Sequence, residues 1–340
     1  MCNCKSPPKT SLVQPWTCHS SLAIAVWLQF MSPILLLRRA VALAFLAGLN
    51  SFGQPALGDP GAPVMLPASS PYGEARAITN LAYAAQPASR QNFDLYLPAK
   101  KSDQSYPLVV WIHGGAWKSG FKDWDNVKYL VGQGYAIASI DYRFCPEFQF
   151  PIQIQDCNLA LNFILAHAAQ YGVDSKRFVV AGGSAGGHLA LLLGLARGET
   201  KFGADPAVKP LAILDFFGPT DFNKMLDDLQ SIHSQPGLNL LHEVGPEFLG
   251  APVDQPTEQA RIASPINYVS AASPPVLILQ GGRDELVPAV QSRRLQAALN
   301  QAGVKNQLIL IDDASHDGPA FSTPEVQAQV VAFLTGIFSK

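Results

Sequence analysis

Short, mostly apolar runs punctuate the chain from residue 107 onwards, at residues 107–112, 135–140, 177–180, 211–217, 275–280 and 307–311. Each is four to seven residues long, the length and character of strands buried on both faces of a sheet. Two earlier segments, residues 77–84 and 91–97, also predict strands; in the second, Phe93, Leu95 and Leu97 alternate with Asp94 and Tyr96. Between the runs the apolar period changes. Leu161, Ile164, Leu165 and Ala168 fall at i, i+3, i+4 and i+7 and predict a helix that stops at Gly172. Leu295, Ala298, Leu299 and Ala302 predict another, closed by Gly303. A last helix takes Thr323 as its cap and Pro324 as its first residue, with Val326, Val330, Phe333, Leu334 and Ile337 inward. Strands alternating with helices predict an α/β fold with a mostly parallel sheet covered on both faces. No internal repeat breaks the rhythm, so residues 59–340 read as one domain.

Three segments depart from this pattern. Residues 59–71, rich in Pro, Gly and Ala, predict a flexible lead-in. Residues 221–267 mix helical pieces with Pro236, Gly237, Gly245, Pro246, Pro252 and Pro256 between two core strands, which is the place and length of a lid or cap. The amino terminus is the third. Arg38 and Arg39 precede a ten-residue apolar stretch, residues 40–49, and small residues follow up to Gly58. That order predicts a secretory signal over residues 1–58, with translation starting at Met31 and the mature protein exported to the periplasm or beyond. The arginines divide the apolar residues into pieces shorter than the ~20 a membrane span needs, so no stable membrane insertion is expected after processing.

Composition narrows the function classes. Of 340 residues, 48% are apolar and 15% charged, and the formal net charge is −2, which gives no footprint for nucleic acid. Three of the five cysteines, Cys2, Cys4 and Cys18, fall in the expected signal; Cys145 and Cys157 remain, as a disulfide or as two buried thiols. No Cys/His cluster has metal-ligand spacing, and no cofactor or metal is expected. Oligomeric state leaves no mark in the sequence.

Chemistry concentrates at Gly182-Gly183-Ser184-Ala185-Gly186, where the apolar run 177–180 feeds directly into the helix former Leu189-Ala190-Leu191-Leu192-Leu193. A G-x-S-x-G between strand and helix forces the serine into a sharp turn at the carboxyl end of the sheet, near helix N–H groups that favour negative charge. A serine hydroxyl needs a base, and the base an orienting acid, in the chain order Ser, Asp or Glu, His. Asp284 follows the run 275–280, and His316 follows the run 307–311. Both therefore stand where sites on such sheets form. Glu285 is the competitor for Asp284. His188, one helical turn after Ser184, is expected to pack beneath the turn, and His113 to brace the following Gly-Gly pair. His167, His233 and His242 read as surface or satisfied polar residues. An oxyanion would need donors already in place; the N–H groups of Gly115, Ala116 and Ala185 are the candidates. Trp117 is a candidate substrate contact.

His113-Gly-Gly-Ala-Trp117, Asp141-Tyr142-Arg143, Pro151 with Asp156, Gly182 to His188, Ser264-Pro265 with Tyr268, and Gly282-Arg-Asp284 together resemble the α/β-hydrolase esterases. The similarity runs from about Asn92 to the end. The nearest groups are the hormone-sensitive-lipase-like carboxylesterases and the bacterial feruloyl and acetylxylan esterase-like (BD-FAE) branch. This resemblance implies an α/β-hydrolase fold and a serine carboxylesterase acting through Ser184, His316 and Asp284. It further implies short-acyl or hydroxycinnamoyl esters, some of them on plant polysaccharide. Amidase, formamidase and lipase activities share the fold, and related gibberellin receptors lack the catalytic histidine, which is present here. The sequence departs from many lipase-like members at Ala116, where they carry a third glycine.

Overall fold

Strand β4 (Tyr106–Ile112) explains why the runs are mostly apolar. Leu108, Val110 and Ile112 pack into one hydrophobic layer, whereas Val109 and Trp111 pack into the layer on the opposite face. Both faces are covered, so no position along the strand is left for a polar residue. The computed structural model describes residues 63–85, 87–100, 102 and 104–339. The expected signal segment lies outside the described residues.

Nine strands form one sheet in the order β1-β2-β3-β5-β4-β6-β7-β8-β9. Strands β1 (Val64–Leu66), β2 (Ala75–Ala82) and β3 (Asn92–Pro98) are antiparallel, and β3 also pairs antiparallel with β5 (Ala136–Ile140). From β5 across β4, β6 (Val173–Gly183), β7 (Ile213–Phe216), β8 (Val276–Gly281) and β9 (Asn306–Ile311), every pairing is parallel. One face carries α1 (Ile152–His167), α2 (Ala185–Leu195) and α6 (Ala289–Gln301); the other carries α7 (Pro324–Phe338) and a 3₁₀ turn, Lys128–Gln133. Thr323 caps α7 as expected, accepting the N–H of Val326. A mostly parallel sheet with an antiparallel edge and helices on both faces is the α/β-hydrolase arrangement that the sequence resemblance implies.

One expectation changes, and two points the sequence left open are settled. The lead-in at residues 59–71 contributes an edge strand, β1, because Val64–Leu66 finds open backbone groups on β2. In β3 the alternation of Phe93, Leu95 and Leu97 with Asp94 and Tyr96 does not mark a wet face, since all five are buried. Asp94 accepts from the Lys122 ammonium at 2.7 Å and the Asn80 N–H at 2.7 Å, and Tyr96 stacks on Tyr72 at 3.8 Å. Of the two expected states for the cysteines, the pair takes the second: Cys145 and Cys157 are free, buried thiols. Among the described residues no helix is long and apolar enough to cross a membrane.

Residues 221–267 form a helical cap with α3 (Phe222–Ser231), α4 (Gln235–Leu249) and α5 (Glu258–Ala263). Met225, Leu229 and Leu241 give it a small core of its own. Its root is tied to the sheet domain. Gln291 at the start of α6 accepts the N–H groups of Thr220 and Asp221 at 2.9 and 2.8 Å, and donates to the Asp228 carboxylate at 2.6 Å. Ser264 closes the far end by accepting the Phe222 N–H at 2.8 Å and donating to the Ala260 carbonyl at 2.7 Å.

Candidate active site

Ser184 occupies the turn between β6 and α2 with φ 55° and ψ −119°, a left-handed conformation that needs support on both sides. Its N–H donates to the Phe216 carbonyl at 2.8 Å. A Cβ on Gly182 would stand 2.2 Å from the Gly186 oxygen, and one on Gly186 would stand 2.0 Å from the Ile112 oxygen. The two glycines of the motif are therefore there to let β6, α2 and the end of β4 pass at backbone distance.

The structure brings together the three residues that the sequence puts forward. His316 Nε2 lies 2.9 Å from Ser184 Oγ, and its Nδ1 lies 2.7 Å from Asp284 Oδ2. The Asp284 side chain is fully buried, and that of His316 is 14% exposed, so only the imidazole meets solvent. Asp284 Oδ1 accepts the N–H groups of Leu286 and Val287 at 2.9 and 2.8 Å, which fixes the carboxylate in its turn. Glu285, the competitor, offers its backbone carbonyl to the Ser234 hydroxyl and is not the partner of His316.

Gln280 and Ser292 go unnoticed in the sequence, where they sit inside an apolar run and a helix with no motif. Gln280 Nε2 donates to Asp284 Oδ2 at 3.0 Å, and its Oε1 accepts the Ser292 hydroxyl at 2.7 Å. The amide thus prevents the carboxylate from rotating away from the imidazole. Phe217 meets the His316 ring edge-on at 4.8 Å and is itself packed against Phe321. The imidazole is held by a hydrogen bond on one side and an aromatic wall on another.

The loop after β4 runs beside Ser184: a Cβ on Gly114 would lie 3.2 Å from the serine Cβ. Gly115, Ala116 and Trp117 take φ values of 105°, 52° and 56°. Among the described residues, the N–H groups of Gly115 and Ala116 have no protein acceptor. Ala185 opens α2, and the first N–H groups of a helix lack partners within it. His113 braces this loop, with Nδ1 2.7 Å from the Gly114 carbonyl and Nε2 3.1 Å from the Asp141 carboxylate. Asp156 accepts a bidentate pair from Arg143 at 2.8 and 2.7 Å, which pins the strand end behind it. Among the remaining histidines, His188 is wholly buried, and desolvation pushes its pKa down to about 4. Its ring is neutral and bonds neither the Ser184 hydroxyl nor His316.

Ser184 and His316 open into a cavity of about 640 Å³. Its two walls differ in chemistry. Cap residues Phe222, Met225, Leu229, Leu240, Leu241 and Val244 make one, joined by Leu286 and Val287; all are apolar. The Asp, Gln and His residues of the cap are not among those that line the cavity. Asp123, Trp124, Asp125, Asn126 and Lys128 make the other wall with Asp317, to which Asn126 donates at 3.3 Å. Trp117 lines the cavity too but is only 8% exposed, because its ring stacks on Phe248 at 4.1 Å.

The sequence from Phe93 through α6 to Leu299 matches one protein family, BD-FAE, over residues 93–299, which is more than half of the chain. The chain belongs to the BD-FAE family. Its similarities to individual proteins agree. It is 32% identical over 57% of its length to a probable carboxylic ester hydrolase, LipM, and 30% identical over 62% to the esterase LipC, both from Mycobacterium tuberculosis. The shared regions are 45% and 52% of those proteins, so the chain spans about half the length of the curated relatives it matches. Among solved structures, a truncated carbohydrate esterase from gut microbiota superimposes with a TM-score of 0.67 and 25% identity. That superposition covers 78% of this chain and 96% of the other. The BD-FAE match covers β3 to α6 and so includes Ser184 and Asp284; His316 lies beyond it on β9's loop.

Proposed function

We propose that this chain is a serine carboxylic-ester hydrolase. One observation carries the reading: Ser184, His316 and Asp284 are joined by hydrogen bonds of 2.9 and 2.7 Å, with Ser184 and His316 lining a cavity. Ser184 Oγ attacks the ester carbonyl carbon while His316 Nε2 takes the hydroxyl proton. Asp284 holds the imidazole by Nδ1 and stabilises its charged form. The tetrahedral oxyanion is met by the N–H groups of Gly115, Ala116 and Ala185. Collapse expels the alcohol, which receives the proton back from His316, and water repeats the sequence to release the acid.

The substrate belongs to the same proposal: a short-acyl or hydroxycinnamoyl ester, with a carbohydrate as its alcohol. The polar wall with the exposed ring of Trp124 supports a hydroxyl-rich leaving group, and the likeness to a carbohydrate esterase points the same way. The apolar cap wall favours a second reading, an ester whose acyl group is longer and fully apolar. Export is proposed from Arg38, Arg39 and the apolar stretch after them. Fluorophosphonate labelling of wild type, with Ser184→Ala unlabelled but folded, tests the chemistry; labelling of Ser184→Ala at the wild-type rate refutes it. Catalytic efficiency on p-nitrophenyl acetate, butyrate and palmitate, then methyl ferulate and acetylated xylan, tests the substrate. A preference for palmitate decides for the second reading.

A further inference from the structure

Three consecutive left-handed residues, two of them not glycine, make the turn that carries the Gly115 and Ala116 N–H groups. L-residues leave that conformation unless their surroundings fix it. At Gly115 the fixing is local: its carbonyl accepts from Lys118 N at 3.1 Å, Ser119 N at 2.9 Å and Ser119 Oγ at 3.0 Å. At Trp117 it comes from a distance, through the backbone, whose carbonyl accepts the Cys145 N–H at 3.0 Å, and through the side chain. The indole stacks on Phe248 of the cap, and its Nε1–H donates to His188 Nδ1 at 3.2 Å.

His188 is placed to make this contact decisive. It stands one turn after Ser184 on α2, and its own N–H donates to the Ser184 carbonyl at 3.0 Å. Its Nε2 lies 2.7 Å from the carbonyl of Ala263, the last residue of α5. A carbonyl only accepts and an indole N–H only donates, so the ring carries its proton on Nε2 and keeps Nδ1 free to accept. Burial holds the ring neutral, which keeps this arrangement intact. One imidazole thus connects the helix bearing the serine, the turn bearing the oxyanion donors and the end of the cap.

We propose that His188 is a positioning residue for acyl transfer: by fixing the Trp117 indole, its Nδ1 sets the direction of the Gly115 and Ala116 N–H groups relative to Ser184. The assignment rests on the serine-hydrolase reading above. Oxyanion donors act mainly in the transition state, so misdirecting them lowers kcat and leaves KM in place. A residue that merely fills space would instead alter the amount of folded protein.

The experiment compares Trp117→Phe, His188→Asn and His188→Gln with wild type. Phe keeps the stack on Phe248 and removes the N–H. Asn keeps an acceptor near the Nδ1 position, whereas Gln keeps a donor near Nε2 and lacks that acceptor. Each variant is assayed for kcat and KM on p-nitrophenyl acetate, for inhibition by an alkyl boronic acid that forms a tetrahedral anion on the serine, and for Tm. Trp117→Phe and His188→Gln should lose about tenfold or more in kcat and the same factor in boronate affinity, with KM within about twofold. His188→Asn should recover most of that loss. Equal kcat and boronate affinity in Trp117→Phe and wild type overturns the proposal, as does a loss that follows Tm alone. If the His188 variants fail to fold, Trp117→Phe decides by itself. Wild type that fluorophosphonate leaves unlabelled overturns the hydrolase reading and this assignment with it; labelled wild type with an unaffected Trp117→Phe overturns this assignment alone.

Discussion

Asp215→Asn should stabilise the protein, and by an amount that grows with pH. Asp215 lies in β7 and is completely buried. Its Oδ1 accepts the Gly218 N–H at 3.0 Å, while Oδ2 has no partner among the described residues. Desolvation outweighs the one hydrogen bond and raises the pKa from 3.8 to about 8. The folded chain therefore keeps this proton up to about pH 8, whereas the unfolded chain releases it near 3.8. Between those values the unfolded state binds fewer protons, so stability falls as pH rises, by about 1.4 kcal/mol per unit. The sum for this group is about 2 kcal/mol at pH 5.5, about 4 at pH 7 and about 6 above pH 8. Asparagine keeps the acceptor for Gly218 and cannot ionise, and its NH₂ takes the place of a carboxylic O–H that is equally unpartnered. Urea unfolding of both proteins at pH 5.5, 7.0 and 8.5 reads the difference directly. A stability difference that stays constant or shrinks over that range refutes the argument.

Other outcomes follow from geometry already described. Asp284→Asn should fold normally yet lose about 10⁴-fold in kcat, because an amide at that position favours the wrong tautomer of His316; steady-state kinetics on an aryl ester checks it. Gly186→Ala should yield no folded protein, since its Cβ would meet the carbonyl oxygens of Ile112 and His113 at 2.0 and 2.6 Å, both backbone atoms; circular dichroism of the purified variant decides. Burial raises the Cys145 thiol to about 11 and that of Cys157 well above its usual value. Neither should alkylate in the native protein, and peptide mapping should find both labelled only after denaturation, with no disulfide-linked peptide.

The sequence carried the sheet and the site unequally. Parallel strands buried on both faces are mostly apolar runs, so β4 to β8 could be read directly, and the edge strand β9, only partly buried, keeps enough apolar residues to be read with them. Ser184, Asp284 and His316 could be found because each follows such a run, and strand ends are where this fold assembles a site. Gln280 was hidden for the opposite reason. It sits at the end of an apolar strand, and only the fold brings it next to Asp284 and Ser292. Residues 221–267 could be placed as a lid or cap but their inner chemistry could not be read, because composition averages the two sides of a helix. Leu229 and Leu241 face the cavity while the Asp, Gln and His residues that colour the segment do not. Likewise Asp94 and Tyr96 marked a polar face in the pattern, but Lys122 and Tyr72 bury them with partners the local sequence does not contain.

The cap is fastened at its root by Gln291 and along α4 by the Ser234 hydroxyl on the Glu285 carbonyl and by Lys118 on Glu243 and Glu247, so it forms a wall rather than a door. Among the residues that line the cavity, Asp123, Trp124 and Asp317 are exposed, so its polar wall is the side that meets solvent. With an acyl group on Ser184, the departing alcohol and the incoming water both pass along that wall. A wall of carboxylate, amide and ammonium groups holds alcohols near the acyl carbon for longer than free diffusion does. The fate of the acyl group becomes a partition between water and any alcohol that lodges there, and added glycerol or a sugar should divert product from free acid to new ester.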